Sequence, residues 1–404
     1  MKNVILFDNE VWDNLLPLTY TRPVGELRVG ILTIREKWEK WANTKVSFIT
    51  QEHLSQKYPM TIESDNIVIN GSLLPLPGIC KLIEQMEPNE ALLHGNELIA
   101  ARLNESQFNS LIQDEEIEEL QGFDIGDTPL LKINNLWDIF GENEEAIKID
   151  FELLTKNRTS QPLSDTNQVT NADQIFLEAG ATVEHAILNA SKGPIYIGKD
   201  AEIMEGCIIR GPLAMNEKSI LKMGAKIYGA TTIGPYCKVG GEVNNVVFTG
   251  YSNKGHDGFL GNSVIGEWCN MGADSNASNM KNNYSEVKLW SYAAQKFAKT
   301  GLQFCGLIMA DHAKCGINTM FNTGTVIGVS ANVYGGGYPR NFIPSFSWGG
   351  EQKYTTYTLE KALDTARIMM KRRDIELTKM DQEILQNIFE TDRTFRSWEK
   401  AILQ

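Results

Sequence analysis

The sequence has no C-x-x-C pair. Its six cysteines (Cys80, Cys207, Cys237, Cys269, Cys305 and Cys315) are widely spread. That spacing excludes a zinc-ribbon or disulfide framework and suggests free thiols in a reducing compartment. No long hydrophobic run is present: no window approaches ~18 uninterrupted apolar residues, so no membrane span is expected. The opening "MKNVILFDNE" meets acid early and has no extended apolar stretch, so a secretory leader is not expected and a cytoplasmic location is. Positive charge is also short, with 38 Lys and Arg against 51 Asp and Glu, a net charge of −13. This excludes a broad nucleic-acid footprint, while leaving local Lys/Arg clusters free to bind small phosphorylated ligands.

At 404 residues, 42% hydrophobic and 22% charged, the chain is long enough for two domains and a large core. In the first part, "NVILFD", "VSFIT" and "NIVING" read as strands, and "ILTIREKWEKWA" reads as an amphipathic helix after the first of them. Strand–helix–strand alternation predicts an α/β domain with a mostly parallel sheet over residues 1–160. A polar stretch, "TKNRTSQPLSDTNQVTNAD", marks the expected boundary near residues 155–173.

The character then changes. Ile197, Ile203, Ile209, Met215, Leu221, Ile227, Ile233 and Val239 follow one another at a spacing of six, and four residues after each comes a mostly small side chain. The phase recurs at Ile265 and Met271, then at Met309, Cys315, Phe321, Ile327 and Val333. Period six fits neither a helix nor a simple strand; it is the mark of a parallel β-helix, each hexad forming one face of a triangular coil. The coil is expected over residues 173–339, interrupted at about 244–264 and 280–306. A C-terminal helical extension follows over 340–404, with "LEKALDTARIMMKRRDIELTKMDQEILQNIF" as a strong amphipathic helix broken once.

Within the coil, "YSNKGHDGFLGNSVIGEWCNMGADSNASN" relaxes the repeat and holds His256 between glycines. A neutral imidazole near pH 7 suits a general base; a solvated loop histidine is the plain alternative. His312, near Asp311 and Cys315, reads as a coil-surface histidine more readily than as a metal ligand.

Taken with the hexads, "LLPLTYTRPVGELRVGILTIREKW" and "GINTMFNTGTVIGV" resemble the bifunctional UDP-N-acetylglucosamine pyrophosphorylase / glucosamine-1-phosphate acetyltransferases, in particular their divergent bacterial branch. The resemblance implies a left-handed β-helix that trimerises, and an N-terminal domain like the sugar nucleotidyltransferases. It implies acetyl-CoA and glucosamine 1-phosphate as substrates of the coil, with His256 as base. Lys254, Asn270, Ala273 and Asn279 would contact sugar or acetyl-CoA, and Arg210 and Lys226 are further anion-binding candidates. "MMKRRD", Lys371 to Arg373, would meet coenzyme A phosphates or form a solvated helix face. The family's tyrosine three residues after the histidine is Phe259 here.

For the first domain the resemblance implies nucleotidyl transfer from UTP with Mg²⁺. The usual glycine-rich loop is absent after "VILFD", and the usual metal-binding aspartate is replaced by Asn70. Arg22, Arg28, Lys37 and Asn70 are the expected nucleotide or phosphate ligands; Asp8, Asp13 and Glu26 are the substitute metal candidates. The plain alternative is that Arg22 and Arg28 pair with Glu26 and its neighbours. Two rival functions stand beside this one. In the first, a hexose-1-phosphate thymidylyl- or uridylyltransferase uses the coil only as an oligomerisation spine; in the second, a non-catalytic assembly protein senses sugar nucleotides.

Overall fold

The computed structural model describes residues 3–112 and 120–400. Met1, Lys2 and Ala401–Gln404, the outer ends of the expected first domain and C-terminal extension, lie outside the described residues. The chain forms two compact units. The first contains Met1–Leu15, Arg22–Leu27 and Leu32–Asn135; the second contains Leu136–Gln404 together with the short segments Leu16–Thr21 and Arg28–Ile31.

The first unit is an α/β domain. Its β1 (Asn3–Phe7) is an almost continuous apolar run, as a central strand covered on both faces requires. Helix α1 (Ile34–Ala42) starts at a capping box, in which the Thr33 side chain accepts from the Glu36 amide and the Glu36 carboxylate accepts from the Thr33 amide. It buries Trp38, whose indole N–H donates to the Leu73 carbonyl at 2.7 Å. Strands β2 (Val46–Ile49) and β3 (Asp65–Asn70) both run parallel to β1, one on each side. Then follow α2 (Pro77–Gln85), β4 (Glu90–His94), β5 (Glu97–Asn104) and β6 (Gln121–Asp124). The sheet order is β2-β1-β3-β5-β4-β6; the β3–β5 and β4–β5 pairs are antiparallel and the other three parallel. The chain leaves β1 for β2 on one side and later fills the other side with β3. In open α/β sheets the ligand crevice lies beyond the strand ends at such a switch point.

From Leu136 the second unit runs through a one-turn helix at Asp138–Gly141 into α3 (Asn143–Thr155) and continues as a parallel β-helix of three faces. Strands stack in register from coil to coil, for example Ile187–Ile208–Lys226–Glu242–Phe259 outward on the first face. The second face stacks Ile197, Met215 and Ile233 inward, and the third Ile203, Leu221 and Val239. The hexad residues therefore rotate through the three faces and fill one continuous core.

The two interruptions differ in kind. Around 244–264 the chain never leaves the coil: Glu242–Gly250 and Phe259–Glu267 each run as one bent strand across the first and second faces. Corners there are shortened, so the six-residue phase slips while the stacking continues. Around 280–306 the chain does leave, forming an antiparallel hairpin of Lys288–Ser291 with Lys296–Lys299. Trp290 of this hairpin stacks on Phe342 with ring centroids 4.2 Å apart. The C-terminal helix is broken once, into α4 (Leu359–Lys371) and α5 (Lys379–Thr391). The break follows from the left-handed φ of 57° at Asp374 and a new capping box at Thr378 and Asp381.

Phe248 is fully buried in the coil core, so truncating it removes a large apolar side chain from close packing. Phe248→Ala is expected to destabilise the second unit by about 3–5 kcal/mol. Equilibrium denaturation followed by far-UV circular dichroism measures it.

Candidate active site

Each coil passes from the third face to the first through a corner, and His256 sits on one of these corners. The third face repeats a short pattern: Lys238-Val239-Gly240, Asn253-Lys254-Gly255, Asn270-Met271-Gly272 and Lys314-Cys315-Gly316. The first residue of each triplet points outward, the second points into the coil and the glycine begins the corner. An outward column of Lys238, Asn253, Asn270 and Lys314 results, polar throughout. It floors a groove of 680 Å³.

One end of the groove carries Tyr251 and Trp268 and the other His256, Ala273 and Ile317; the residues Met369, Arg372 and Arg373 at the end of α4 also line it. Five cationic side chains line this groove: Lys222, Lys238, Lys314, Arg372 and Arg373. Among the described residues no carboxylate does. In a chain of net charge −13 that is a local inversion of sign, and it raises the local concentration of anions. Burial pushes the Lys314 amine down to about 8, while it donates to the His312 carbonyl at 2.7 Å.

His256 is exposed and also lines a second opening of 710 Å³ on the corner itself, with Asp257 and Asp274. The corner one coil earlier is only Gly240-Gly241, shorter than the Lys222-Met223-Gly224-Ala225 corner before it, and this notch is where the second opening lies.

The aromatic end belongs to a ladder on another corner. Tyr236, Tyr251, Trp268 and His312 all have left-handed φ, between 54° and 61°, and their rings stack with centroids 5.2, 4.4 and 6.3 Å apart. Packing along this ladder opposes the backbone strain that such a φ places on a bulky residue. His312 is buried in it, which differs from the coil-surface position expected for this residue. Asp311 accepts from the Thr21 hydroxyl at 2.6 Å and from the Glu267 amide at 2.7 Å, and Cys315 points into the core. They form no metal group with His312: among the described residues no cluster of three or more His, Cys, Asp or Glu could hold a metal ion.

The expected coil residues are thus distributed as follows. His256, Asn270 and Ala273 come together in the groove. Lys254 does not: it is 2% exposed, and its amine lies inside the coil, donating to the carbonyls of Gly240 and His256, each at 2.9 Å. Asn279 lies outside both openings and donates its amide to Asn262 at 2.8 Å. Arg210 and Lys226 are exposed on the first face, Lys226 in register with Glu242. Lys222, Lys238, Tyr251, Trp268 and Lys314 were not foreseen, although the recurring Lys/Asn–apolar–Gly triplet marks the floor.

In the first unit Asp8 follows β1 and Asn70 ends β3, so both flank the switch point. The Asn70 amide donates to Glu97 at 3.0 Å, and its oxygen accepts from the Ser72 amide and hydroxyl. Glu97 in turn pairs with Lys132. Asp8 accepts from the Val24 amide at 3.0 Å and from the Thr50 hydroxyl at 2.6 Å. Burial pushes its carboxyl up to about 7, against the pull of those two bonds. Glu26 is engaged by Arg35 at 2.6 Å, and Asp13 is exposed in the one-turn helix Val11–Asn14 that follows β1. Among the described residues, Asp8, Asp13 and Glu26 therefore do not assemble into a magnesium site. Arg22 and Lys37 are buried in the first unit. Arg28 belongs to the second unit, where its guanidinium donates to the carbonyls of Thr249 and Ile31. These bonds hold the guanidinium, expected to meet a phosphate, against two main-chain carbonyls.

Residues 4–159 match the model of a family described as sugar nucleotidyl transferase. The chain is 31% identical over 174 residues to a bifunctional sugar-1-phosphate nucleotidylyltransferase/acetyltransferase from Sulfurisphaera tokodaii. That match covers 43% of this chain, and the chain spans only 42% of the length of that curated relative. Among solved structures, AntD, an N-acyltransferase from Bacillus cereus in complex with dTDP and 3-hydroxybutyryl-CoA, is 11% identical. It covers 52% of this chain and 87% of its own, with a TM-score of 0.23. The acetyltransferase domain of PglB from Neisseria gonorrhoeae is 11% identical, covering 83% and 97%, with a TM-score of 0.12. At those TM-scores the two structures bear on neither fold nor site.

The raised carboxyl of Asp8 has a thermodynamic consequence. The folded state holds this proton more tightly than the unfolded chain, so its contribution is full below pH ~4 and is lost as pH rises towards 7. Between those limits the loss amounts to about 4 kcal/mol. Asp8→Asn is expected to flatten this part of the pH profile of the first unit's unfolding, as calorimetry at pH 4 to 8 would show.

Proposed function

We propose that this chain is a bifunctional transferase of sugar nucleotide synthesis. In this reading the coil moves an acetyl group from acetyl-CoA to the amine of glucosamine 1-phosphate. The α/β domain then joins the N-acetylated sugar phosphate to the uridylyl group of UTP, releasing pyrophosphate. The observation that carries the reading is a groove that ends on an exposed histidine and, among the described residues, is lined by five cations and no carboxylate. Such a groove suits the phosphates of coenzyme A, with the thioester carried towards His256. The match of residues 4–159 to the nucleotidyl transferase family supports the second activity, as does the bifunctional relative's name.

The chemistry asked of the coil is modest. The acceptor nitrogen attacks the thioester carbonyl, the C–N bond forms and the C–S bond breaks, and coenzyme A departs as its thiolate. That thiolate then receives the proton that His256 took from the nitrogen. Asn270 and the Ala273 main chain contribute hydrogen-bonding groups beside the reacting centre. The sugar phosphate enters from the corner side, where Lys226 on the first face offers a cation. Phe259, in register beyond Glu242, supplies a ring without the family's hydroxyl. Mg²⁺ in this reading accompanies the nucleoside triphosphate.

A trimer is part of the proposal. Ile187 and Ile208 are 41% and 51% exposed and adjacent on the first face, with Met320 further along it. This apolar strip suits a second copy of the coil. The proposed setting is the cytoplasm. In the first unit, the neutral Asn70 and the high-lying Asp8 also favour a second reading, nucleotide binding without turnover.

His256→Ala is expected to lower kcat for acetyl transfer by roughly 10²-fold or more, as loss of a general base does. Coenzyme A release from acetyl-CoA with glucosamine 1-phosphate measures it; an unchanged rate would remove His256 from the chemistry. Replacing Arg372 and Arg373 together by Ala should raise KM for acetyl-CoA about tenfold or more and weaken its dependence on salt, with kcat little altered. Pyrophosphate release on adding UTP and Mg²⁺ separates catalysis in the first unit from binding alone.

A further inference from the structure

Lys254 occupies the one inward position of the third face where the equivalent triplets carry valine, methionine and cysteine. A lysine in an aliphatic column loses the hydration of its ammonium group, which the interior repays only through well-placed acceptors. Its acceptors here are specific. The amine donates at 2.9 Å to the carbonyl of His256, two residues ahead, and at 2.9 Å to that of Gly240 in the preceding coil. Burial pushes the amine down to about 8, in keeping with an enclosed position.

The backbone around it is cut to receive this contact. Gly241 has a φ of +74°, and a Cβ there would stand 2.9 Å from both the Lys254 nitrogen and the His256 carbonyl oxygen. A Cβ on Gly240 would stand 2.9 Å from the Gly255 carbonyl oxygen. Only a glycine pair lets the short corner lie this close to the turn bearing His256. That turn has three consecutive carbonyls engaged. The His256 carbonyl takes the lysine, that of Asp257 accepts from the Asp274 amide at 3.1 Å, and that of Gly258 accepts from the Glu242 amide at 3.3 Å. The first of these is the only one made by a side chain.

We infer that Lys254 is a positioning residue: from inside the coil it clamps the main chain of His256 to the shortened Gly240-Gly241 corner, and so fixes where the imidazole stands over the groove. The inference deepens the acetyltransferase reading and rests on it for its catalytic meaning. It departs from the sequence expectation that Lys254 touches substrate, because the amine is spent inside the wall. A group that acts by placement changes kcat through geometry, since small displacements of a reacting group are costly.

The test is Lys254→Met, which restores an unbranched apolar side chain to the column. The full-length protein would be examined in three ways: by thermal unfolding, by acetyl transfer kinetics, and by NMR of ¹³Cε1-labelled histidine with His256→Ala assigning the signal. The expected result is an unfolding temperature equal to or above that of the wild type. The His256 resonance should be shifted or broadened, and kcat should fall about 10- to 100-fold with KM for acetyl-CoA held within about threefold. An unchanged His256 signal with unchanged kcat would overturn the inference. So would a loss of folding shared by Lys254→Met and Lys254→Leu, which would make the lysine a structural member of the core. If the wild type leaves acetyl-CoA untouched, it is the functional reading that fails. The NMR comparison then still decides whether Lys254 holds the His256 turn.

Discussion

The main-chain ladder between successive coils governs the second unit. Once each strand pairs in register with those before and after it, side chains must alternate strictly between interior and surface, because a strand's period is two. Everything else follows from that division. Inward columns must be apolar or internally satisfied, outward columns are free to carry chemistry, and corners must tolerate left-handed backbone. The polar floor of Lys238, Asn253, Asn270 and Lys314 and the aliphatic core behind it are the two sides of one short sheet.

The site arises where this regularity is relaxed. Shortening one corner to Gly240-Gly241 opens a notch beside His256 without breaking the stack. Placing a lysine in the interior column then turns the notch into a support for the same residue. The groove's charge comes from two sources, the outward column and the end of α4, so its five cations gather from sequence positions 222 to 373. Like charges so close together raise the free energy of the empty groove, which favours a polyanionic occupant.

The first unit shows the opposite economy. Its sheet presents a switch point of the kind that binds ligands, but the groups expected there are already committed: Asp8 to Val24 and Thr50, Asn70 to Ser72 and Glu97, and Glu26 to Arg35. A phosphate arriving there would have to compete with these bonds or meet the main chain instead.

Much of the architecture was legible from spacing alone. A six-residue period admits few solutions, and the apolar run of β1 with a capped helix after it reads as α/β. His256, Asn270 and Ala273 could be singled out together because they lie in one relaxed stretch of sequence. The orientation of Lys254 could have been read from the recurrence of an apolar residue before each corner glycine, had the slip after Val239 been followed. The segment Leu16–Ile31 marks the limit of such reading. Arg22 and Arg28 look alike in sequence, yet one lies in the first unit and the other joins the second through the Thr249 carbonyl. Arg372 and Arg373 likewise gain their meaning only when α4 returns to the coil. The sequence by itself determined the coil, its interior and the candidate base, because those follow from local periodicity. Tertiary structure decided which cations face the groove and which are spent on carbonyls, because that depends on contacts between residues far apart in the chain.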